Sequence, residues 1–218
     1  MATMLSITNP KDKVVIFSPF YENYGADTIL SGAEPIYVPL VPPDFTFSIE
    51  QLENAFKQGA KALILCNPSN PCGKVFTFEE LTAIADVVKK YDAYVVTDEV
   101  YEHIVYAPNK HIYMQALDGM RERTIVCNSL SKTYSITGWR LGYVIANPEI
   151  IDRVKKVHDF LTVGAAAPLM EAATVGLKFD DKYYDELAAH YAHMKEVFVG
   201  GLEKLGLKYT DPQGAYYV

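Results

Sequence analysis

The sequence predicts an α/β fold, a mostly parallel sheet sandwiched by helices, and three observations predict it. Short apolar runs alternate with amphipathic helical patterns as far as about Ile150. The run Ala93-Tyr94-Val95-Val96 is apolar without alternation, as suits a strand covered on both faces. Polar and aromatic residues follow the ends of four of the runs, where open α/β sheets place their ligands. With crossovers of one hand, such a chain builds a right-handed sandwich.

Each element has its own local reason. Residues 1–7 read as the last turns of a helix ahead of an Asn9-Pro10 turn. Val14-Val15-Ile16-Phe17 and Ile36-Tyr37-Val38 read as strands. Ser48 and Gln51 fit a capping box, and Leu52, Ala55 and Phe56 then share one helix face. Ala62-Leu63-Ile64-Leu65 is a further strand. Thr77 and Glu80 make a second capping box ahead of Leu81, Ile84, Ala85 and Val88. Residues 93–96, Thr124-Ile125-Val126-Cys127 and Tyr143-Val144-Ile145-Ala146 complete the strands. Asn147-Pro148 predicts an N-cap with proline at the first helical position, where its missing N–H is no loss. Beyond Ile150 the pattern turns to long helices, with residues 180–205 amphipathic and solvated on one face. Gly214-Ala215-Tyr216-Tyr217-Val218 reads as the beginning of a strand.

Composition excludes several classes. A formal charge of −7 over 218 residues argues against a general nucleic-acid surface. No apolar run is long enough to suggest a membrane span. Residues 1–5 lack the basic start and apolar core of a signal peptide. Three cysteines, Cys66, Cys72 and Cys127, form neither an even framework nor a CxxC pair, so inert thiols in a reducing, cytoplasmic compartment are expected. His158, His190 and His193 lie in helical segments and His103 and His111 flank a loop, none with a partner at metal-ligand spacing; no metal site is expected.

Lys132 carries the chemistry. It follows the strand at 124–127 within Asn128-Ser129-Leu130-Ser131-Lys132 and precedes Gly138-Trp139-Arg140. A lysine held in a cleft just past a strand is expected to have its pKa lowered by desolvation, making it an amine nucleophile for a carbonyl. Hydroxyls with a guanidinium fork are what a phosphate monoester needs. A Schiff-base lysine beside a phosphate site suggests pyridoxal 5′-phosphate. Three further clusters fall at strand ends: Ser18-Pro19-Phe20-Tyr21, Asn67-Pro68-Ser69-Asn70-Pro71-Cys72-Gly73, and Asp98-Glu99-Val100-Tyr101.

With these motifs, in this order and spacing, the chain resembles the class I aminotransferases of pyridoxal-phosphate fold type I, near the aspartate, aromatic and kynurenine branch. The matching motifs are Asn67-Pro68-x-Asn70-Pro71-x-Gly73, Asp98-Glu99-x-Tyr101, and Ser129-x-Ser131-Lys132 with Gly138-Trp139-Arg140. The resemblance implies that Lys132 forms the internal aldimine and shuttles the substrate Cα proton, and that Asp98 pairs with the protonated pyridine nitrogen. Asn70 and Tyr101 would bond the phenolic oxygen. Tyr21 would stack on the ring, with Phe20 one residue out of phase. Ser129 and Arg140 would bind the phosphate, with Ser131 beside them. Taken singly, Asp98 also suits a helix cap, Asn70 a turn, and Tyr21 or Tyr101 a core. Trp139 and the pairs Tyr183-Tyr184 and Tyr216-Tyr217 are expected to pack.

The resemblance further implies residues 1–165 as a partial cofactor-binding large domain and 166–218 as linking helices and the start of a smaller α+β domain. It implies transfer of an amino group from an L-amino acid to a 2-oxo acid by a homodimeric enzyme. The same lysine and aspartate also suit a β-lyase acting on cysteine conjugates. The family's glycine-type phosphate loop and its arginine clamp for the substrate carboxylate have no match here. The chain is therefore expected to be a fragment lacking both ends, with weak cofactor binding, self-association and little turnover; a catalytically inactive fragment is the third reading.

Overall fold

In a computed structural model describing residues 1–218, six strands form one sheet. They are β1 (Lys13–Ser18), β2 (Glu34–Pro39), β3 (Ala60–Cys66), β4 (Tyr94–Asp98), β5 (Thr124–Ser129) and β6 (Gly142–Ile145), in the order β2-β1-β3-β4-β5-β6. The first five run parallel and β6 returns antiparallel to β5, so the mostly parallel sheet read from the sequence is the sheet the chain builds.

Side-chain alternation divides each central strand between two cores. Val15, Leu63, Leu65 and Val95 pack on one face against Leu52 and Phe56 of α3 (Ile49–Lys57) and Leu81 and Ile84 of α4 (Phe78–Lys90). Val14, Ile16, Ala62, Ile64 and Val96 pack on the other against Met4 and Ile7 of α1 (Ala2–Ile7) and Ile150 and Val154 of α6 (Pro148–Thr162). The uninterrupted apolar strands thus serve helices on both sides. The remaining helices are α2 (Asn23–Leu30), α5 (Leu130–Thr133), α7 (Ala167–Gly176) and α8 (Asp181–Lys204). No helix is long and apolar enough to cross a membrane.

The caps follow the sequence, with one exception. Glu80 N donates to Thr77 Oγ1 at 3.2 Å and Thr77 N donates to Glu80 Oε2 at 2.9 Å, a complete capping box. Ile150 N donates to Asn147 Oδ1 at 3.0 Å, with Pro148 opening α6. At α3 only half of the expected box forms: Gln51 N donates to Ser48 Oγ at 3.3 Å.

Residues 214–218 do not form the strand expected of them. Gly214 makes a single bridge to Val105, and Ala215 has φ 57°, a left-handed conformation that interrupts any extended run. The long helix is as solvated as its pattern implies, since α8 has no fully buried residue.

The antiparallel return is tight at Gly142, which pairs with Ser129. A Cβ at Gly142 would lie 2.7 Å from the Asn128 carbonyl oxygen, which the β5 backbone fixes. Gly142→Ala is expected to destabilise the fold by about 1–3 kcal/mol, the usual effect of overpacking. The check is a lower urea midpoint at unchanged slope. An unchanged midpoint would mean that β6 moves away from β5 at no cost.

Candidate active site

The carboxyl ends of β1, β3, β4 and β5 face one edge of the sheet, where parallel strands leave room for a ligand. A cavity of about 310 Å³ lies there. Tyr21, Asn70, Asp98, Tyr101, Ser129, Ser131, Lys132 and Arg140, all eight residues singled out from the sequence, line it. Topology explains the convergence. Each residue sits at or just beyond a strand end, and neighbouring strands bring those ends together.

Asp98 is the last residue of β4. Tyr24, at the start of α2, donates its hydroxyl to Asp98 Oδ2 at 2.7 Å, and Val100 N donates to Asp98 Oδ1 at 3.3 Å. Burial pushes the Asp98 carboxyl up from its ordinary value; the two hydrogen bonds and the Lys132 ammonium pull it partly back. A buried carboxylate in this state favours a cationic partner. Tyr24 was not among the residues chosen from sequence. Its signal was the three-residue spacing from Tyr21, which brings the two rings edge to face at 5.7 Å.

Lys132 lies three residues past the end of β5, as a residue just beyond a strand should. β5 runs on to Ser129, and Lys132 lies on α5, a helix of only four residues. Ser129 caps this turn, its Oγ accepting from Ser131 N at 2.9 Å. The expected fall in the lysine pKa is corrected. The Tyr216 hydroxyl beside it holds the Lys132 ammonium above its ordinary value, outweighing desolvation. The ammonium nitrogen lies 5.7 Å from the centre of the Tyr216 ring.

Tyr216 and Tyr217 are therefore not simply packing residues. Tyr217 Oη lies 2.8 Å from Tyr101 Oη and accepts from Asn70 Nδ2 at 3.1 Å. Asn70 and Tyr101 thus close on one phenolic oxygen. Tyr183 and Tyr184 do pack, and they support the lysine-bearing turn. Tyr183 Oη donates to Thr133 O at 2.7 Å, and Tyr184 Oη lies 2.8 Å from Tyr134 Oη.

Tyr21 faces the cavity, whereas Phe20 points away and stacks on Tyr37 at 5.1 Å. Arg140 adopts a left-handed backbone and donates from Nη1 to Thr137 O at 3.0 Å, and it lines the same cavity as Ser129 and Ser131. Trp139 is 37% exposed and belongs to no buried cluster, so the packing role expected for it is not seen.

One cluster escaped the sequence. His111 Nε2 lies 3.1 Å from Glu99 Oε2, and Glu102 completes a group of two carboxylates and an imidazole whose geometry would suit a metal ion. The group is already bonded from within: Glu102 accepts from Tyr113 Oη at 2.7 Å and from Asn128 Nδ2 at 2.6 Å. Asn128 Oδ1 in turn accepts from Ser129 N at 2.7 Å, so the cluster braces the end of β5.

Chemically, the cavity combines an amine, a buried carboxylate, two donors to a phenolic oxygen, hydroxyls and a guanidinium. That set fits a phosphorylated aromatic ring bearing a phenol and a carbonyl. Comparison with known proteins identifies the family. The family model described as aminotransferase class I and II matches residues 1–218. Kynurenine–oxoglutarate transaminase 3 of Homo sapiens is 35% identical over 233 residues, covering 99% of this chain and 51% of the relative. The solved structure of N-succinyldiaminopimelate aminotransferase from Mycobacterium tuberculosis superposes with a TM-score of 0.95 at 32% identity, over 99% of this chain and 56% of that one. An aromatic aminotransferase from Pyrococcus horikoshii gives a TM-score of 0.92 at 34% identity, over 98% and 58%. The chain spans about half the length of the curated relatives it matches.

Proposed function

Because the chain belongs to the class I and II aminotransferase family, we propose that its cavity holds pyridoxal 5′-phosphate and serves transfer of an amino group from an L-amino acid to a 2-oxo acid. The observation that carries this reading is the Asn70–Tyr101 pair closing on one phenolic oxygen, at 3.1 and 2.8 Å, in a cavity shared with Lys132 and Asp98.

The cofactor supplies an electron-poor ring that stabilises negative charge developing at the substrate Cα. The protein's groups have separate tasks. Lys132 would hold the cofactor at its carbonyl carbon, with water as the leaving group, and its free amine would carry the proton from the substrate Cα. The Asp98 carboxylate would pair with the ring N–H, and Tyr24 orients that carboxylate through its 2.7 Å bond. Asn70 and Tyr101 would donate to the phenolic oxygen. Ser129, Ser131 and Arg140 would hold the phosphate by charge-assisted bonds. Tyr21 would cover one ring face.

On this reading residues 1–165 form the cofactor-binding domain and residues 166–218 lead into a smaller one. A homodimer is supported by apolar side chains left exposed on and after α6, among them Phe160, Leu161 and Val163. Three free cysteines suit a reducing, cytoplasmic compartment.

Transamination is tested by the first half-reaction. Chain loaded with pyridoxal phosphate is mixed with aromatic, acidic and sulfur-containing L-amino acids in turn. At least one should release its 2-oxo acid stoichiometrically while the visible absorbance of the bound carbonyl falls, and a 2-oxo acid should restore it. A loaded chain that releases no oxo acid with any of them would sink the proposal.

A further inference from the structure

We propose that Glu102 is a positioning residue for the phosphate end of the cavity: acting through Asn128, it fixes where Ser129 stands. The inference rests on the reading of Ser129 as a phosphate-binding residue given above.

The sheet explains why such a residue is needed. β4 and β5 stay in register only as far as Asp98 and Cys127. Beyond that pair, Asn128 and Ser129 have ladder partners on one side alone, Tyr143 and Gly142 of β6. Backbone held by few bonds is where local opening concentrates. Side chains supply the missing side. Asn128 Nδ2 donates to Glu102 Oε1 at 2.6 Å, and Asn128 Oδ1 accepts from Ser129 N at 2.7 Å. One amide thus clamps the Ser129 backbone to the loop that follows β4. Ser129 Oγ in turn accepts from Ser131 N at 2.9 Å, so the position passes on to the turn that carries Lys132.

Glu102 is itself held in place. Its Oε2 accepts from Tyr113 Oη at 2.7 Å. The Tyr113 ring meets His111 edge to face, with centres 4.6 Å apart, and His111 Nε2 lies 3.1 Å from Glu99 Oε2. Glu99 is buried and directly follows Asp98. A continuous series of contacts therefore joins the neighbour of Asp98 to Ser129, the ring end of the cavity to its phosphate end. The Glu102 side chain is 11% exposed, and the one cationic side chain near it is His103, at 3.7 Å. A carboxylate so placed, without lysine or arginine, is costly to keep for packing alone. Neither Glu102 nor Asn128 lines the cavity, so each acts through Ser129 and not by touching a ligand.

The test titrates pyridoxal phosphate and pyridoxal, which lacks the phosphate, into the 218-residue chain and its variants. Glu102→Ala should cut the affinity advantage of the phosphorylated compound roughly tenfold, as loss of one charge-assisted hydrogen bond would, while pyridoxal binding changes little. Glu102→Gln, whose amide oxygen can still accept from Asn128, should restore most of the advantage. Thr77→Ala, which removes the α4 cap instead, should lower the denaturation midpoint and leave the advantage as it was. In the ligand-free chain, hydrogen exchange at the Ser129 amide should be severalfold faster in Glu102→Ala. Should that variant not fold, Asn128→Ala reads the same link from its other end. An unchanged phosphate advantage, equal losses for both compounds, or unchanged exchange at Ser129 overturns the positioning role and leaves the cavity reading intact. Equal affinity of the unaltered chain for the two compounds overturns the phosphate reading and this inference together.

Discussion

Borohydride added to the chain after treatment with pyridoxal phosphate is expected to fix the pyridoxyl group on Lys132, and Lys132→Ala to abolish the adduct. The structure separates this lysine from its rivals. Lys74 is 5% exposed, but its ammonium is bonded to Glu80 Oε1 at 2.8 Å on the α4 side of the sheet, away from the cavity. Lys155 lies on the solvated face of α6. Lys132 alone among the lysines lines the cavity. The pH dependence has a definite sign. Only the free amine attacks a carbonyl, and Tyr216 holds the ammonium above the ordinary lysine value, so the rate of trapping should rise with pH. Where turnover is measurable, Lys132→Ala should reduce it by at least the ~10²–10⁴-fold that a positioned proton carrier contributes. Label found mainly on Lys74 or Lys155 would remove Lys132 from the mechanism.

Much of the fold was legible because it rests on short-range chemistry. Val14, Val15 and Ile16 announce a strand buried on both faces, and they are fully buried. Thr77 and Glu80 announce a helix start, and their reciprocal bonds form. The convergence of Asn70, Asp98, Ser129 and Lys132 was legible for a topological reason, since strand ends of a parallel sheet share an edge. What escaped depends on long-range packing. Tyr217 reaches Asn70 across 147 positions and Tyr101 across 116, and no local pattern encodes that contact. The neighbouring Tyr216 reversed the expected pKa of Lys132, because burial alone lowers a lysine whereas an adjacent phenol raises it. Glu99 and His111 are twelve positions apart, too far for helical spacing to pair them, and only the loop after β4 brings them together. The strand expected at residues 214–218 failed on one backbone angle, at Ala215.

Asp98→Asn should move stability and catalysis in opposite directions. The carboxyl is partly buried and its pKa is raised, chiefly by desolvation. A carboxyl whose folded pKa exceeds its unfolded value of about 3.9 destabilises the fold wherever it is ionised; the penalty vanishes as pH falls through the folded value and then the unfolded one. Asparagine has the same shape and no charge. It can accept from Tyr24, though not from Tyr24 and Val100 through two equivalent oxygens. Without cofactor, Asp98→Asn should therefore raise stability at neutral pH by about 1 kcal/mol, the usual gain when a strained functional group is replaced, and the gain should fade in acid. A chemical denaturation series at neutral and acid pH checks this. Catalysis should suffer, because the variant has no anion to pair with a protonated ring nitrogen. A loss of about 4 kcal/mol from the chemical step corresponds to roughly a thousandfold in rate. Single-turnover kinetics with a saturating amino acid reads that step. Near wild-type turnover would exclude Asp98 as the ionic partner. Lower stability at neutral pH would mean that the bonds from Tyr24 and Val100 outweigh burial, so that the fold itself favours the carboxylate over its neutral form.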